Sequence, residues 1–473
     1  MPSPAPAGGP TPLATVVVLS YNGVHLVGPC LDALAAQHLP EGRMQVWVVD
    51  NASTDGTQEL IERDFPWVRL IANPRNDGFA GGNNVALRQV DTPYVALLNQ
   101  DARPTPDWLS RLIEPFQLER ARAVSGDTTP RLAATTSKIV FLPRFLAVNL
   151  STPAFLPGIR DSRELGVRIY RVTVDGRDLT DDVLWDHVAY GPEGEGEGRF
   201  RWTRPSGRLL VPVDRDGRGT GPAPRLNLGL RLAAEGAKPV ELIWAGGDAT
   251  IQAETEVADQ QVPVPPGAEL VDVLNNAGSM VFLDGYGADR GYQEVDRGQY
   301  ERVEEVFTFC GVSVLFRTEA LREAGVFDDD FFMYYEDTDL AWRLWRQGWR
   351  VRYVPTSVVR HEHSATLGEG DRRRQFHIER NRLLMLTKNA RASLAGRAVL
   401  GYLLETVQMI LKAAATGQRP PLGLRLRVRI VGSYLRLLPR MLWRRGELAR
   451  RAVVSRRRLE QRWLVPRPDP SDH

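Results

Sequence analysis

Residues 45–64 read QVWVVDNASTDGTQELIERD, and the order of residue types along them decides the fold. Gln45–Val49 is a short apolar run rich in valine, the composition of a strand covered on both faces. A polar turn follows, Asp50-Asn51-Ala52-Ser53-Thr54-Asp55-Gly56, in which Asp55 is placed to cap the next element. Thr57–Asp64 then takes up helical spacing. Strand, polar turn and helix in so short a stretch make one half of a βαβ unit.

The same alternation continues on both sides. Upstream lie a strand at Thr15–Ser20 (TVVVLS) and a helix around His25–Gln37. Downstream lie a strand at Val68–Ile71, a glycine-opened helix at Phe79–Gln89 and a strand at Tyr94–Leu98. This spacing predicts an α/β domain with a mainly parallel, Rossmann-like sheet. From about Ser125 to Val271 helical periodicity vanishes. Alternating segments such as Val167–Val174 and Arg225–Leu232, punctuated by Gly/Pro turns, predict an inserted all-β, sandwich-like domain over residues 125–271, with Gly191–Gly198 as a solvated loop. The insertion reads as an acceptor-positioning module or a rigid spacer.

After Asp272 the α/β character returns: Phe307–Phe316 is strand-like, Glu319–Ala324 helical, Thr338–Gln347 an amphipathic helix and Trp349–Val354 a strand. Trp342, Trp345 and Trp349 at helical spacing belong to the core. From Arg391 the chain becomes basic and helical. Leu424–Arg451 suits amphipathic helices on an anionic membrane surface, or packed on the α/β domain with a solvated arginine face. The resulting plan is a disordered tail over 1–13, an α/β domain over 14–124 and 272–390, the all-β insertion, and a helical region over 391–473.

A chain of 473 residues exceeds one ordinary domain. Its 43% apolar and 25% charged residues are those of a soluble globular protein, and no nucleic-acid partner is expected. Cys30 and Cys310 are too few for a disulfide framework, and they fit a reduced cytoplasmic compartment. The opening MPSPAPAGGPTP has neither the charged nor the apolar part of a signal peptide. Glu405, Gln408 and Lys412 interrupt the most apolar run, Ala398–Ala415, so no membrane-spanning helix is expected.

Five clusters can carry chemistry. Asp50 ends a buried strand, where open α/β sheets bind ligands; its carboxylate can accept from a nucleobase or a ribose hydroxyl, or it can serve only an Asx turn. Asn76-Asp77-Gly78-Phe79-Ala80-Gly81-Gly82-Asn83 opens a helix, where backbone N–H groups can approach a phosphate, or where glycines merely permit tight turning. No GxGxxG or P-loop lysine accompanies it, which argues against a dinucleotide-binding dehydrogenase. Asn99-Gln100-Asp101 offers hard oxygen ligands suited to Mg2+ or Mn2+. In Phe327–Leu340 (FDDDFFMYYEDTDL) aromatic residues that can stack on a sugar lie beside carboxylates able to deprotonate a hydroxyl. In Arg360-His361-Glu362-His363, one histidine can complete a metal site with Asp101.

The ordered set VVVLSYN, VVDNASTDGT, NDGFAGGNN, ALLNQD, FDDDFFMYYEDTDL and RHEHS resembles the family 2 glycosyltransferases, in particular their rhamnosyltransferase-like branch. The resemblance covers about half the chain. It implies a GT-A fold and an inverting, metal-dependent transfer of a sugar from a nucleotide-sugar donor to a hydroxyl. It implies nucleotide-sugar contacts from Ser20, Tyr21, Asn22, Asp50, Asn51, Ser53, Asn76, Gly78, Gly81, Gly82, Asn83, Asn99 and Gln100. Asp101 and His361 would be metal ligands for Mg2+ or Mn2+, and Asp337 the catalytic base. Cys310, Gly311, Tyr335 and Glu336 would line the acceptor side. Asn99 stands where the family's metal motif has its first Asp. The Gln-x-x-Arg-Trp signature of processive synthases is absent, which implies one or few transfers per acceptor. The branch points to dTDP-rhamnose or a UDP-sugar as donor and to a cell-envelope or lipid-linked glycan as acceptor, handled by a cytoplasmic enzyme resting on the inner membrane face. Two rivals are a nucleotidyltransferase, which would carry a basic glycine-rich loop where this chain has Ser20-Tyr21-Asn22-Gly23, and a non-catalytic glycan-binding protein.

Overall fold

The computed structural model describes residues 12–40, 42–124, 131–158, 161–186, 188–214, 223–362, 371–416 and 422–467. Most of the expected N-terminal tail, and His363, lie outside them. The chain divides into two compact units. One comprises residues up to Ile139, Asn276–Arg290 and the chain from Tyr300; the other comprises Val140–Asn275 and Gly291–Gln299.

The first unit opens with β1 (Ala14–Ser20), α1 (Val27–Ala35), β2 (Met44–Asp50), α2 (Thr57–Asp64), β3 (Arg69–Ala72), α3 (Gly78–Leu87) and β4 (Tyr94–Asn99). The valine runs of β1 and β2 are buried throughout because helices cover both faces of the sheet. β3, β2, β1 and β4 lie side by side, all parallel. After β5 (Ala102–Pro104) and α4 (Trp108–Val124) come β6 (Leu132–Phe141), β7 (Ser313–Arg317), α5 (Thr318–Ala324), α6 (Glu336–Arg346) and β8 (Arg350–His361). β7 pairs antiparallel with β4 and with β6, and β5 pairs antiparallel with β8. The sheet is therefore parallel on one side of β4 and antiparallel on the other.

Three expectations need correction. β6 was assigned to the insertion, but its residues up to Ile139 belong to this unit. It is buried at every position, and its hydroxyls are satisfied internally: Thr135 donates to Leu112 O, Thr136 to Ser313 O, and Ser137 bonds the hydroxyls of Ser313 and Ser357. The strand expected over Phe307–Phe316 begins only at Ser313, because the chain turns at Cys310, whose carbonyl accepts from Ser313 N–H. Helical structure begins before Arg391, at α7 (Arg372–Asn389), and continues through α8 (Ala392–Thr416), α9 (Leu422–Arg451) and α10 (Arg456–Trp463). Within α8, Ala392–Lys412 is long and apolar enough to cross a membrane by length and composition, with mean hydropathy 1.3 and 22% of the window buried. Trp342, Trp345 and Trp349 all lie in the core.

A buried charge network joins α6 to α7 and α9. Lys388 of α7 donates to Asp328 (2.6 Å) and to Asp339 (2.8 Å). Arg343 and Asn389 complete Asp339, and Arg444 of α9 binds both Asp328 and Asp330. Burial pushes the Asp328 carboxyl up, but Lys388 and Arg444 outweigh it and hold the group below the usual range.

The second unit is two antiparallel sheets over one core. One sheet contains Leu184–Asp186, Ser206–Asp214, Arg144–Ser151, Lys238–Trp244 and Gly247–Ala253. The other contains Ala189–Glu193, Phe200–Thr203, Arg168–Val174, Leu226–Ala233 and Ala258–Val264. Lys238–Trp244 alternates buried and exposed at every step, the pattern of a sheet wet on one face. The glycine-rich tract expected as a plain loop enters a strand, Ala189–Glu193, and closes a hairpin onto Phe200–Thr203.

Lys388 is 4% exposed at its side chain, and removing it takes one charged donor from each of two buried carboxylates, which keep Arg444 and Arg343. Lys388→Ala is expected to lower unfolding stability by about 1.5–3 kcal/mol, read from the shift of the first urea-unfolding transition by tryptophan fluorescence.

Candidate functional site

The parallel register sets the site's position. Ser20 lies opposite Asp50 in the β1–β2 pair, and Leu19 lies opposite Asn99 in the β1–β4 pair. Three polar turns therefore leave the sheet at one level, at the carboxyl ends of adjacent strands, where α/β sheets place ligands. The turns are stitched together. Gln100 Oε1 accepts from Ser20 Oγ (2.7 Å) and Tyr21 N–H (3.1 Å), and its amide donates to Tyr21 O. Ser53 Oγ accepts from Asn22 N–H (2.8 Å), and Asn22 Oδ1 accepts from Thr54 N–H. Gly23 is required here, since a Cβ at that position would lie 2.0 Å from Gln100 Oε1.

Asp50 is fully buried. Its Oδ2 accepts from Ser53 N–H (3.0 Å) and Gln58 Nε2 (2.6 Å), whereas Oδ1 is buried with no hydrogen-bond partner among the described residues. One lobe of the carboxylate thus fixes the turn and the other remains available to a ligand donor. Asp55 donates nothing to this site. It binds Thr57 at the start of α2 and Val24 N–H, and these hydrogen bonds hold its carboxyl below the usual range despite the desolvation that opposes them.

Asn51, Gly81, Gly82 and Asn83 play structural parts. Asn51 is buried with its amide in use: Nδ2 donates to Asn76 Oδ1 and Gly78 O, and Oδ1 accepts from Asn73 Nδ2 and Asp77 N–H. Asn83 bonds back to Phe79 O within α3. Gly82 lets α3 pack on β1 and β2, because a Cβ there would meet Leu19 Cδ1 at 2.5 Å and Asn51 Nδ2 at 3.1 Å. At Gly81 it would meet Asp77 Cβ at 2.7 Å. Close packing is reason enough for glycine at both positions.

Next to Asn99 the chain turns, and Asp101 faces the end of β8. Asp101 Oδ1 lies 3.3 Å from His361 Nε2, with both side chains buried. That oxygen accepts no hydrogen bond among the described residues. No group of three or more His, Cys, Asp or Glu side chains suited to a metal occurs among the described residues. Asp101 and His361 stand as a buried pair.

The second pole of the site begins at Asp337, on the first turn of α6. Its Oδ1 accepts from Thr338 N–H (2.5 Å) and Thr338 Oγ1 (3.1 Å). Desolvation, reinforced by the charge of Asp289 and opposed by the Thr338 bonds, pushes its carboxyl up to about 6. Glu336 is more deeply buried, with Oε2 unpartnered; desolvation first and Asp337 second hold its carboxyl well above the usual range. The Tyr335 hydroxyl accepts from Gly287 N–H (3.2 Å). Gly311 makes room for Phe79, whose ring a Cβ would approach to 2.9 Å. Burial raises the Cys310 thiol, as does the nearby charge of Asp289, so this cysteine is no ready nucleophile.

Asp289 is the residue that sequence reasoning missed. It ends the short strand Gly287–Asp289, which pairs with Ser279–Phe282. Its Oδ1 accepts from Asn276 Nδ2 (2.5 Å) and Ser279 Oγ (3.0 Å). Although exposed, it is crowded enough that desolvation raises its carboxyl, with Ser279, Asn276 and His361 opposing. Its charge helps raise the Cys310 thiol and the Asp337 carboxyl. Only a lone Asp in a glycine-rich stretch marks it in the sequence.

The family model for glycosyl transferase family 2 matches residues 15–143, and that for glycosyl transferase family group 2 matches residues 283–443. Glycosyltransferase AglE of Haloferax volcanii is 31% identical over 119 residues, which are 24% of this chain and 39% of that protein. Succinoglycan biosynthesis protein ExoO of Rhizobium meliloti is 36% identical over 160 residues, 32% of this chain and 44% of that protein. The chain thus spans less than half the length of either relative. A crystal structure of GalNAc-T7 with UDP, GalNAc and Mn2+ aligns over 80% of this chain and 48% of that one at 10% identity, with a TM-score of 0.39. At that score the likeness decides nothing.

Gly82→Ala forces its new methyl into Leu19 and Asn51, and is expected to destabilise the protein by about 1–3 kcal/mol. Thermal denaturation should show a lowered midpoint, whereas Gly56→Leu, which has open space at its Cβ but positive φ, should act through backbone strain alone.

Proposed function

The chain belongs to glycosyl transferase family 2, and on that premise we propose that it transfers a sugar from a nucleotide-sugar donor to an acceptor hydroxyl with inversion at the anomeric carbon. The observation that carries this reading is the buried Asp101–His361 pair together with the unmatched oxygen of Asp50 at the end of the neighbouring strand, and the raised carboxyl of Asp337 supports it.

In this reading Tyr21 and Asn22 flank the nucleoside, and Asp50 Oδ1 accepts from its base or ribose. Asp101 and His361 would hold Mg2+ or Mn2+. The fit is supported by a buried carboxylate oxygen, without a hydrogen bond, beside an imidazole nitrogen, since such ions take few protein ligands and complete their shell with phosphate and water. When bound, the ion neutralises charge on the leaving diphosphate. Asp337 takes the proton of the acceptor hydroxyl while that oxygen bonds to the anomeric carbon and the bond to the nucleoside diphosphate breaks on the opposite face. A carboxylate raised to about 6 is still ionised at neutral pH and is a better proton acceptor than an ordinary one. Asp289 is suited to bind a second acceptor hydroxyl.

The donor is dTDP-rhamnose or a UDP-sugar, and the acceptor a cell-envelope or lipid-linked glycan. A relative named for succinoglycan biosynthesis supports the acceptor class. Peripheral contact with an anionic inner membrane face is supported by exposed apolar residues on α8 (Leu400, Leu404, Val407, Leu411) and α9 (Val428, Leu435, Leu442). Exposed Arg425, Arg429 and Arg436 flank the α9 row.

Nucleotide release from a panel of sugar nucleotides tests the reading. One donor should give turnover that depends on Mg2+ or Mn2+, and release from none would overturn it. Asp337→Asn should keep nucleotide binding and lose about 10²–10⁴-fold in kcat; normal turnover would remove Asp337 from the mechanism. Because the base acts deprotonated, turnover should rise with pH through about 6 and then level off, and an acid limb near 4 would show that Asp337 is not desolvated in the working enzyme.

A further inference from the structure

The segment Phe331–Tyr335, immediately ahead of Glu336 and Asp337, holds three non-glycine residues in left-handed backbone: Phe332 at φ 64°, Tyr334 at 66° and Tyr335 at 69°. Bulky residues rarely adopt this conformation, and it persists only where the surroundings over-determine it. Here the surroundings grip from two sides. On one, Asn381 of α7, fully buried, directs its side-chain amide at three carbonyls at once: Phe331 O, Met333 O and Tyr334 O, each at 2.8 Å. Its Oδ1 is fixed in turn by Arg380 Nε (2.9 Å), which sets the amide's orientation. On the other side, Phe332 O accepts from Ala80 N–H (3.0 Å) in the first turn of α3. Gly78 has to be glycine for that approach, because a Cβ there would sit 2.4 Å from the same carbonyl.

Nothing in local sequence preference would keep this segment in place. Phe331 O also accepts from Arg380 Nη2 (3.1 Å) and Met333 N–H (2.8 Å), but Met333 O and Tyr334 O turn toward the Asn381 amide, so removing it takes from each a hydrogen bond that holds the segment. The chain leaves the clamp at Tyr335 and enters α6 directly, so the direction of the segment fixes where the carboxyl of Asp337 stands. We propose that Asn381 is a positioning residue for the transfer reaction: it holds the strained Phe331–Tyr335 segment between α7 and the glycine-rich start of α3, and through it sets Asp337 relative to the donor. The inference deepens the proposed function and rests on Asp337 as base.

The test combines hydrogen–deuterium exchange with steady-state nucleotide release from whichever donor the wild-type protein turns over. In Asn381→Ala, peptides covering 331–337 should exchange at least about 10-fold faster while β1, β2 and β4 keep their protection. kcat should fall by about 10- to 100-fold, the usual effect of displacing a reacting group by roughly an ångström, with the donor KM within about three-fold of wild type. Adding Tyr334→Asn, a residue that tolerates left-handed backbone, should recover part of the lost rate. Unchanged exchange in 331–337 would overturn the proposal. So would faster exchange across the whole sheet, which marks general destabilisation, or a rise in KM with kcat intact. If the wild-type protein releases nucleotide from no donor, the functional reading fails, and the exchange measurement alone still decides whether Asn381 clamps the segment.

Discussion

The parallel register of β1 with β2 and β4 is the constraint on which the rest of the first unit depends. With Ser20 opposite Asp50 and Leu19 opposite Asn99, the polar turns after three strands must emerge side by side. Side chains alternate along a strand, so a slip of one residue would exchange the side chains packed on the two covered faces and carry Asp50 to the other face. The hydrophobic pattern that builds the core therefore also fixes where the turns meet. Gln100, Ser53 and Asn22 then tie the turns to one another, and Asp50 keeps one oxygen in the turn and one unspent.

A second kind of constraint governs the other pole. Asp337 follows a segment that is unfavourable in isolation and that packing and hydrogen bonds hold in place from α7 and α3. Behind it, Lys388 bridges Asp328, ahead of the segment, and Asp339, in the first turn of the helix that follows it. Charges so deeply buried add little net stability as a pair, yet each is costly to leave alone. Such a network therefore favours one arrangement of α6 against α7 and α9 over its neighbours. The same burial that demands pairing at Asp328 raises the unpaired carboxyls of Glu336 and Asp337.

Much of this was legible in the residues themselves, and the exceptions share a cause. Thr57–Asp64 forms the helix its spacing implied, and the valine-rich runs form the parallel strands, because local preference and burial agree there. β6 was placed in the insertion because its partners are distant in the chain: only the folded domain brings Leu112 O of α4 and the hydroxyls of Ser313 and Ser357 to Thr135 and Ser137. The glycines after Asp77 left phosphate approach and tight turning both open in the sequence; the neighbours that crowd Gly81 and Gly82 are Asp77, Leu19 and Asn51, which no local pattern announces. Asp289 and Asn381 carry no motif at all. Their significance lies in contacts that no motif announces, with Asn276 and Ser279 across a hairpin in one case and, far along the chain, three carbonyls of a strained segment in the other.

The central claim is that Asp101, next to His361, lies where a divalent ion and a nucleoside diphosphate meet at the strand ends. Calorimetric titration of UDP, dTDP and GDP into the full chain, with and without Mn2+, and again with Asp101→Asn, measures this directly. One nucleotide should bind the wild-type protein in a Mn2+-dependent manner and lose that dependence in Asp101→Asn. Binding that ignores the ion, or that survives the substitution unchanged, would contradict the account.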